Sequence, residues 1–591
     1  MQSETKQCQN CKNNFVIEPE DFEFYAKINV PPPTFCPECR LIRRMCWREN
    51  RTLYKDKCDL CGKEILSMYH PSSPYPVYCS PCWWSDKWDS LSYAEDFDFN
   101  KPFLQQFFEL HKKVPRQATT VRNSIGCNYC NATVSSKNCY LNFGSYMSEN
   151  CLYCSYPIMS RDSVDSDWGM NMDHAYGSYN SDAIFNAKHV YFSEECIDCS
   201  FLFDCRGCTE CFGCVNLRHK KYHLFNQRLT KEAYREQMKY WDLGSYSKIQ
   251  EAQRKFKEFF MSLPHRFAWM RNSFDVTGDN IKNSKNCQSC FIVLNGVENC
   301  RYVLSGGLLL KDSYDVTVGG EKSQLLYETT GSLNSERVFF SRGSNNSHNV
   351  EYSDSPYGSH HVFGCVFPRN KSYCILNKQY TKEKYETLVP KIIEHMNSMP
   401  YIDKKERIYK YGEFLPPEMS PWAYNESWSQ EWFPLDKGEV VNKGYKWRDQ
   451  EIRDYKETIS HNNLPDHIKN TPDSIVNEVI SCEHGGNCNE LCTEFFRIIP
   501  EELKFYRQMN IALPRLCSNC RYFQRIKWRN PPRLWDRQCQ CAGIKSDNEK
   551  YANTTEHFHK AGHCPNLFKT SYDPDREEVI YCQQCYNSEF I

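Results

Sequence analysis

The strongest constraint on this 591-residue chain is that one stretch near its start returns near its end. Cys8-x2-Cys11 is followed by Phe15, Ile17, Pro19, Phe24-Tyr25, Cys36-Pro-Glu-Cys39, then Arg40, Arg44, Trp47 and Arg48. At an offset of 481 the chain reads Cys492, Phe496, Ile498, Pro500, Phe505-Tyr506, Cys517, Cys520, Arg521, Arg525, Trp528 and Arg529. The one slip is in the first pair, where Cys488-x3-Cys492 stands for Cys8-x2-Cys11. Such a duplication predicts a central region held between two similar clamps.

The 35 cysteines are an odd number and many fall in Cys-x2-Cys pairs, which favours metal thiolates over a disulfide framework. Residues 1–92 are predicted to form two tandem zinc ribbons, one on Cys8, Cys11, Cys36 and Cys39 and one on Cys58, Cys61, Cys79 and Cys82. Two such knuckles set four thiolates about 2.3 Å from one Zn²⁺, a closed and structural arrangement. Each metal then contributes on the order of 10 kcal/mol to folding. Residues 476–591 repeat the pair. The third ribbon is expected on Cys488, Cys492, Cys517 and Cys520. In the fourth, Cys539 matches Cys58 at offset 481, while Cys564, Cys582 and Cys585 match Cys61, Cys79 and Cys82 at offset 503. A 22-residue insertion from Gln540 splits that knuckle, and Cys541, beside His557, His559 and His563, stands as an alternative to Cys539. About four structural zinc sites are therefore expected.

The centre carries a second duplication. Phe212-Gly-Cys-Val, Arg218, Lys220, Tyr222, Asn226 and Thr230-Lys-Glu recur as Phe363-Gly-Cys-Val, Arg369, Lys371, Tyr373, Asn377 and Thr381-Lys-Glu, offset by 151. A finer period of about 12 runs through Asn138-Cys139, Asn150-Cys151 and Asp162-Ser163, and again through Asn286-Cys287, Asn299-Cys300 and Asp312-Ser313. A turn-forming residue, a small residue and then an aromatic or β-branched run is the pattern of a β-solenoid rung, full or half. The expected fold is mainly β and multidomain, with solenoid blocks at 116–227 and 266–378. A connecting helix is expected in 93–115. Helices opened by Thr230, with a break at Gly244, fill 228–265, and Thr381 opens a helix in 379–398. Residues 399–475, rich in Pro and Trp, read as a strap packed on a neighbour.

The pattern Cys-x2-Cys-x3-Phe-x-Ile-x-Pro-Glu, Phe-Tyr, Cys-Pro-x-Cys-Arg resembles a family of small bacterial zinc-ribbon domains, over residues 8–40 and less fully over 488–521. The whole arrangement resembles large multi-ribbon proteins of small-genome candidate-phylum bacteria. Some of those carry a CaiB/BaiF CoA-transferase label. That label implies another fold with a catalytic aspartate, and nothing in this sequence supports it. The resemblance implies zinc binding and no activity.

A basic stripe follows each first ribbon. Arg40, Arg43, Arg44, Arg48 and Arg51 fall on one helical face beside Trp47; the second copy has Arg521, Arg525, Lys527, Trp528, Arg529 and Arg533. Guanidinium groups beside an indole suit phosphate contacts and base stacking, so RNA or DNA is the expected partner. The alternatives are arginines that pair with local acids such as Glu20 and Asp21 or form a solvated face, and a protein-interaction platform without nucleic acid. The run Cys205-x2-Cys208-x2-Cys211-x2-Cys214 comes near a ferredoxin motif, which raises a third reading, an iron–sulfur redox protein or a fifth metal. The second block replaces three of those cysteines with Pro356, Ser359 and Val362, which favours a thiol ladder or a fifth zinc over an iron–sulfur centre.

No phosphate loop, dinucleotide turn, zinc-protease pair or nucleophile elbow occurs, so the chain is read as non-enzymatic with no small-molecule substrate. A net charge of −1 supplies no global basic field. No apolar run approaches a membrane span and the first residues lack a signal-peptide core, so a cytoplasmic location is expected.

Overall fold

A computed structural model describes residues 2–49, 51–449 and 456–591; the part of the expected strap at 450–455 lies outside the described residues. The centre is built in threes. From Asn123 to Phe225, every third residue has a positive φ. The residue after most of these is small and buried, as at Cys130, Thr133, Ser136, Cys139, Ser145, Ser148, Cys151 and Cys154. The third residue pairs in parallel with the one twelve positions later: Lys137 with Glu149, Tyr140 with Leu152, Phe143 with Ser155, Tyr146 with Ile158. Twelve residues thus make one full coil of four short sides, each coil lying on the last.

Left-handed backbone costs a non-glycine residue about 1–2 kcal/mol. The stack offsets this with two main-chain hydrogen bonds per triplet. Asn138 N donates to Ile125 O at 2.8 Å, and Lys137 N donates to Ser148 O at 2.9 Å. The recurring Asn and Asp add a side-chain ladder up one corner, Asn138 to Asn150 at 3.3 Å and Asn150 to Asp162 at 2.9 Å. Inside, Ser148 Oγ donates to Tyr146 O at 3.2 Å and accepts from Ser160 N at 3.4 Å. Small residues fill most inward positions, and Met172, Ile184, Val190 and Leu202 fill the rest as buried apolar groups.

The second block uses longer parallel strands, Phe274–Lys282, Lys285–Leu294, Lys311–Gly319 and Gln324–Ser332. Its step is thirteen where Cys287, Cys300 and Ser313 stack, and returns to twelve at Gln324 and Glu336. Each block ends in an antiparallel hairpin, Lys221–Leu224 with Gln227–Arg228 and Ser372–Ile375 with Lys378–Gln379. There Asn226 bonds both N–H and C=O of Val215, and Asn377 does the same for Val366. The amide imitates the backbone of a further coil and so closes an edge that would otherwise invite pairing.

Thr230, Ser245 and Thr381 accept from backbone N–H groups and open the helices Lys231–Tyr240, Tyr246–Met261 and Lys382–Ser398. The helix in the 93–115 segment is confined to Phe103–Lys113.

Each terminal region holds antiparallel hairpins: Glu4–Gln7 with Asn14–Ile17, Tyr54–Lys57 with Glu64–Ser67, Ile480–Ser481 with Phe495–Phe496, and Trp535–Gln538 with Leu567–Thr570. After the first of each pair comes a helix couple, Pro19–Ile28 and Pro37–Met45, then Pro500–Met509 and Ser518–Ile526. The packing is crossed. The N-terminal couple lies on the second block, where Phe24 stacks on Tyr314 at 3.9 Å, and the C-terminal couple lies on the first, where Tyr506 meets Tyr176 at 5.8 Å. The strap fills the space between: Trp422 stacks on Tyr69 at 5.6 Å, and Trp428 N donates to Arg48 O at 2.9 Å. Among the described residues no helix is long and apolar enough to cross a membrane.

Candidate metal centres and the buried arginine helices

Each hairpin brings cysteines to its turn, and the N-terminus of the helix or short turn that follows brings two more. Cys8, Cys11, Cys36 and Cys39 form one group with all ligand atoms within 4.8 Å of one another, and Cys58, Cys61, Cys79 and Cys82 form a second. In both, a backbone N–H fixes the first thiolate: Cys36 N donates to Cys8 Sγ and Cys79 N to Cys58 Sγ, each at 3.2 Å. Burial opposes ionisation of Cys58, but the N–H groups of Cys79, Cys61 and Leu60 prevail and bring its thiol down to about 7. Four such sulfurs match a closed structural metal site, which fits the donor set present.

The third group corrects the sequence reading. It joins Cys482, Cys492, Cys517 and Cys520, with Cys482 in the place expected for Cys488. Cys517 N donates to Cys482 Sγ at 3.2 Å, the same bond that marks Cys8 and Cys58. Cys482 and Cys492 stand ten positions apart where Cys8 and Cys11 stand three apart, so an insertion opens the knuckle and carries Cys488 within it. Cys488 remains at the edge, its sulfur 3.7 Å from that of Cys520. The short strand Ile480–Ser481 just before Cys482, like Glu4–Gln7 before Cys8, is the signal that spacing alone hides.

In the fourth module Cys539 groups with Cys564, Cys582 and Cys585, and Cys582 N donates to Cys539 Sγ at 3.1 Å. Cys541 does not replace Cys539. It belongs to a separate set with His557, His559 and Cys585. His563 stands apart, its Nε2 4.0 Å from Asp547.

The run Cys205, Cys208, Cys211 and Cys214 occupies four consecutive inward positions of one coil. Each sulfur contacts the carbonyl two residues back, at 3.5, 3.5, 3.5 and 3.3 Å, and the carbonyl nine residues on, at 3.5, 3.7, 3.6 and 3.4 Å. Ser181 makes the same pair of bonds, at 3.2 and 3.1 Å. The thiols are satisfied by backbone, as the serines are.

The core of each arginine stripe does not face solvent as a phosphate-binding surface would; only Lys527 and Arg533 at the end of the second stay largely exposed. Arg40, Arg43 and Arg44 are at most 1% exposed. Arg40 meets Asp315 at 2.9 Å, Arg44 meets Asp315 at 2.9 Å and Glu328 at 3.1 Å, and Arg43 meets Glu328 at 2.6 Å and Glu413 at 2.8 Å. In the other copy Arg521 meets Asp165 at 2.7 Å and Glu502 at 3.3 Å, and Arg525 meets Asp165 at 2.9 Å and Asp167 at 2.6 Å. The acids come from the coiled blocks, the strap and the neighbouring helix, so the positive face is spent internally. Trp47 is fully buried and donates to Pro416 O at 3.3 Å. Trp528 stacks on Tyr191 at 4.4 Å. Arg48 lies over Trp428 at 5.3 Å, Arg51 over Tyr522 at 3.6 Å and Arg529 over Trp432 at 3.6 Å. Lys527 pairs with Glu490 at 2.5 Å and stays 67% exposed; Arg533 pairs with Glu38 at 2.7 Å. The last contact and the Arg51–Tyr522 contact join the two ends of the chain to each other.

No family model matches the chain, and no curated protein matches it. A crystal structure described as an acetyltransferase from Desulfovibrio desulfuricans G20 aligns with 47% of this chain and 74% of its own, at 9% identity and a TM-score of 0.10. A likeness that slight carries no argument about fold or activity.

Proposed function

We propose that this protein is a non-enzymatic, zinc-stabilised scaffold: two β-solenoid blocks clamped by four zinc ribbons, offering their outer walls to a protein partner. The observation that carries this reading is the burial of Arg40, Arg43, Arg44, Arg521 and Arg525 in ion pairs to the central blocks. Residues spent in holding modules together are not free to neutralise phosphates. Zinc is supported by four closed four-thiol groups. Exposed apolar side chains on the first block, including Ile125 at 75% and Met147 at 52%, support the choice of a protein partner.

The test combines two measurements on the purified chain. Metal analysis is expected to return zinc at structural stoichiometry, with no iron and no visible chromophore. Titration with labelled single- and double-stranded RNA and DNA across a salt series is expected to show no tight, steeply salt-dependent binding. Micromolar or tighter affinity that falls with salt would restore the nucleic-acid reading and overturn this one.

A further inference from the structure

We propose that the C-terminal module holds two metal ions, not one, with the thiolate of Cys585 shared between them. The inference rests on the reading that the four-cysteine groups hold zinc. Cys585 belongs at once to the set with Cys539, Cys564 and Cys582 and to the set with Cys541, His557 and His559, each set having its donor atoms within 4.8 Å of one another. One sulfur facing two complete donor sets is the arrangement of a bridging thiolate.

The second set has the outer shell a metal site needs. A metal-bound imidazole ordinarily gives its other N–H to a carboxylate or carbonyl, which fixes ring and tautomer. Here His557 Nδ1 lies 3.1 Å from Cys541 Sγ, and its Nε2 lies 2.8 Å from Glu589. His559 Nε2 lies 3.3 Å from Cys585 Sγ, and its Nδ1 donates to Gly562 O at 2.7 Å. Asn553 Nδ2 donates to Cys541 Sγ at 3.1 Å. Glu589 is itself held, accepting from Thr554 N at 2.9 Å and Tyr551 Oη at 2.7 Å. Cys541 and Cys585 are fully buried, His557 is 3% exposed and His559 is half-buried, so three of the four donors lie away from water.

The chain around them gives the site a structural purpose. Cys541, His557 and His559 all come from the insertion that splits the fourth knuckle, and the N-terminal copy lacks it. That insertion supplies few apolar side chains to the local core, so a second ion would fix a loop that packing alone does little to hold. Two imidazoles and two thiolates, tetrahedrally placed, are a donor set for Zn²⁺. On binding, the thiols release their protons to solvent and the imidazoles bind neutral. Five thiolates around two divalent ions leave the pair with a single net negative charge, less than two separate four-thiolate sites would carry. Sharing one sulfur makes the pair more compact and easier to bury.

The experiment is native mass spectrometry of the zinc-loaded full chain beside a His557→Ala/His559→Ala variant, with ¹¹³Cd NMR of the cadmium-substituted wild type. The variant is expected to hold one metal ion fewer. Two cadmium resonances of the wild type are expected to split each other through the shared sulfur. Equal metal content in the two proteins, or cadmium signals without mutual splitting, overturns the shared site while leaving the four-cysteine sites standing. A zinc-loaded wild type that holds no metal at all would overturn the zinc reading itself. Should the variant fail to fold, the cadmium coupling in the wild type still decides.

Discussion

The guanidinium of Arg44 lies 2.9 Å from the carboxylate of Asp315, and neither side chain is exposed to solvent. The contact has a twin: Arg525 meets Asp165 at the same distance. Arg44 and Arg525 are related by the 481-residue repeat of the ends, while Asp315 and Asp165 are related by the repeat of the centre, here offset by 150. Two independent duplications therefore meet in one lock, used twice. Because the N-terminal helix enters the second block and the C-terminal helix the first, the ends must cross, and the Arg533–Glu38 pair lies where they do.

Removing one partner of a buried ion pair strands the other charge in a medium that cannot solvate it. Arg44→Ala is expected to destabilise the fold by about 3–5 kcal/mol, and Arg525→Ala by a similar amount. Arg44→Met with Asp315→Leu should recover only part of that loss, since Asp315 also pairs with Arg40, which is then left with Glu328 at 3.9 Å. Denaturant unfolding of the three variants checks this; a near-zero effect of Arg44→Ala would show that the helix is not locked by its charge.

Cys482 and Cys488 offer a direct contrast. Cys482→Ser is expected to remove one metal ion per chain and to loosen the third module, while Cys488→Ser should leave the metal content unchanged. Metal analysis after dialysis decides, and the reverse result would return Cys488 to the ligand role that spacing suggests.

His111 shows how acid should act. Arg116 Nη2 donates to its Nδ1 at 2.8 Å, so its Nε2 carries the proton given to Asp354 at 2.8 Å. Burial first, and then Arg116, pushes its pKa down to about 3. A histidine depressed in the folded state stays neutral there while the unfolded chain takes up a proton below about 6.5. Stability should then fall as pH drops below about 6.5, by about 1.4 kcal/mol per pH unit from this group. His265, buried and lowered to about 4, adds to the slope. His111→Gln keeps one donor and one acceptor without a titrating proton, and is expected to reduce the slope of unfolding free energy against pH between about 5 and 6.5 by the share of one histidine. An unchanged slope would remove His111 from the acid response.

The interior thiols of the first block are expected to behave as packing groups. Changing Cys205, Cys208, Cys211 and Cys214 to Ser should leave metal content and the visible spectrum unchanged, because serine makes the same bonds at equivalent positions. Cys208→Leu should cost about 1–3 kcal/mol, because the larger side chain must displace the neighbouring thiols packed around it. Loss of a metal ion in the serine variant would make the run a ligand set after all.

Much of the plan of this protein is written locally and can be read without coordinates. Cys-x2-Cys pairs place sulfurs through a turn of three bonds' reach, and the Asn, Asp and Ser recurrence at twelve residues reports a coil closing on itself, because both depend on neighbours in the chain. Cys482 escapes that reading because an insertion moves its partner Cys492 to ten positions away while the hairpin still returns it to the same place.

What the sequence by itself determined is the two duplications, the thiol pairs and the stripe of arginines on one helical face. What only the tertiary structure decided is where that stripe points. A guanidinium row suited to phosphate is equally suited to carboxylate, and the acids that meet Arg44 lie more than 250 residues away, at Asp315 and Glu328. Local patterning carries the charge; only the packing of one repeat against the other supplies its counter-charge and takes both out of water.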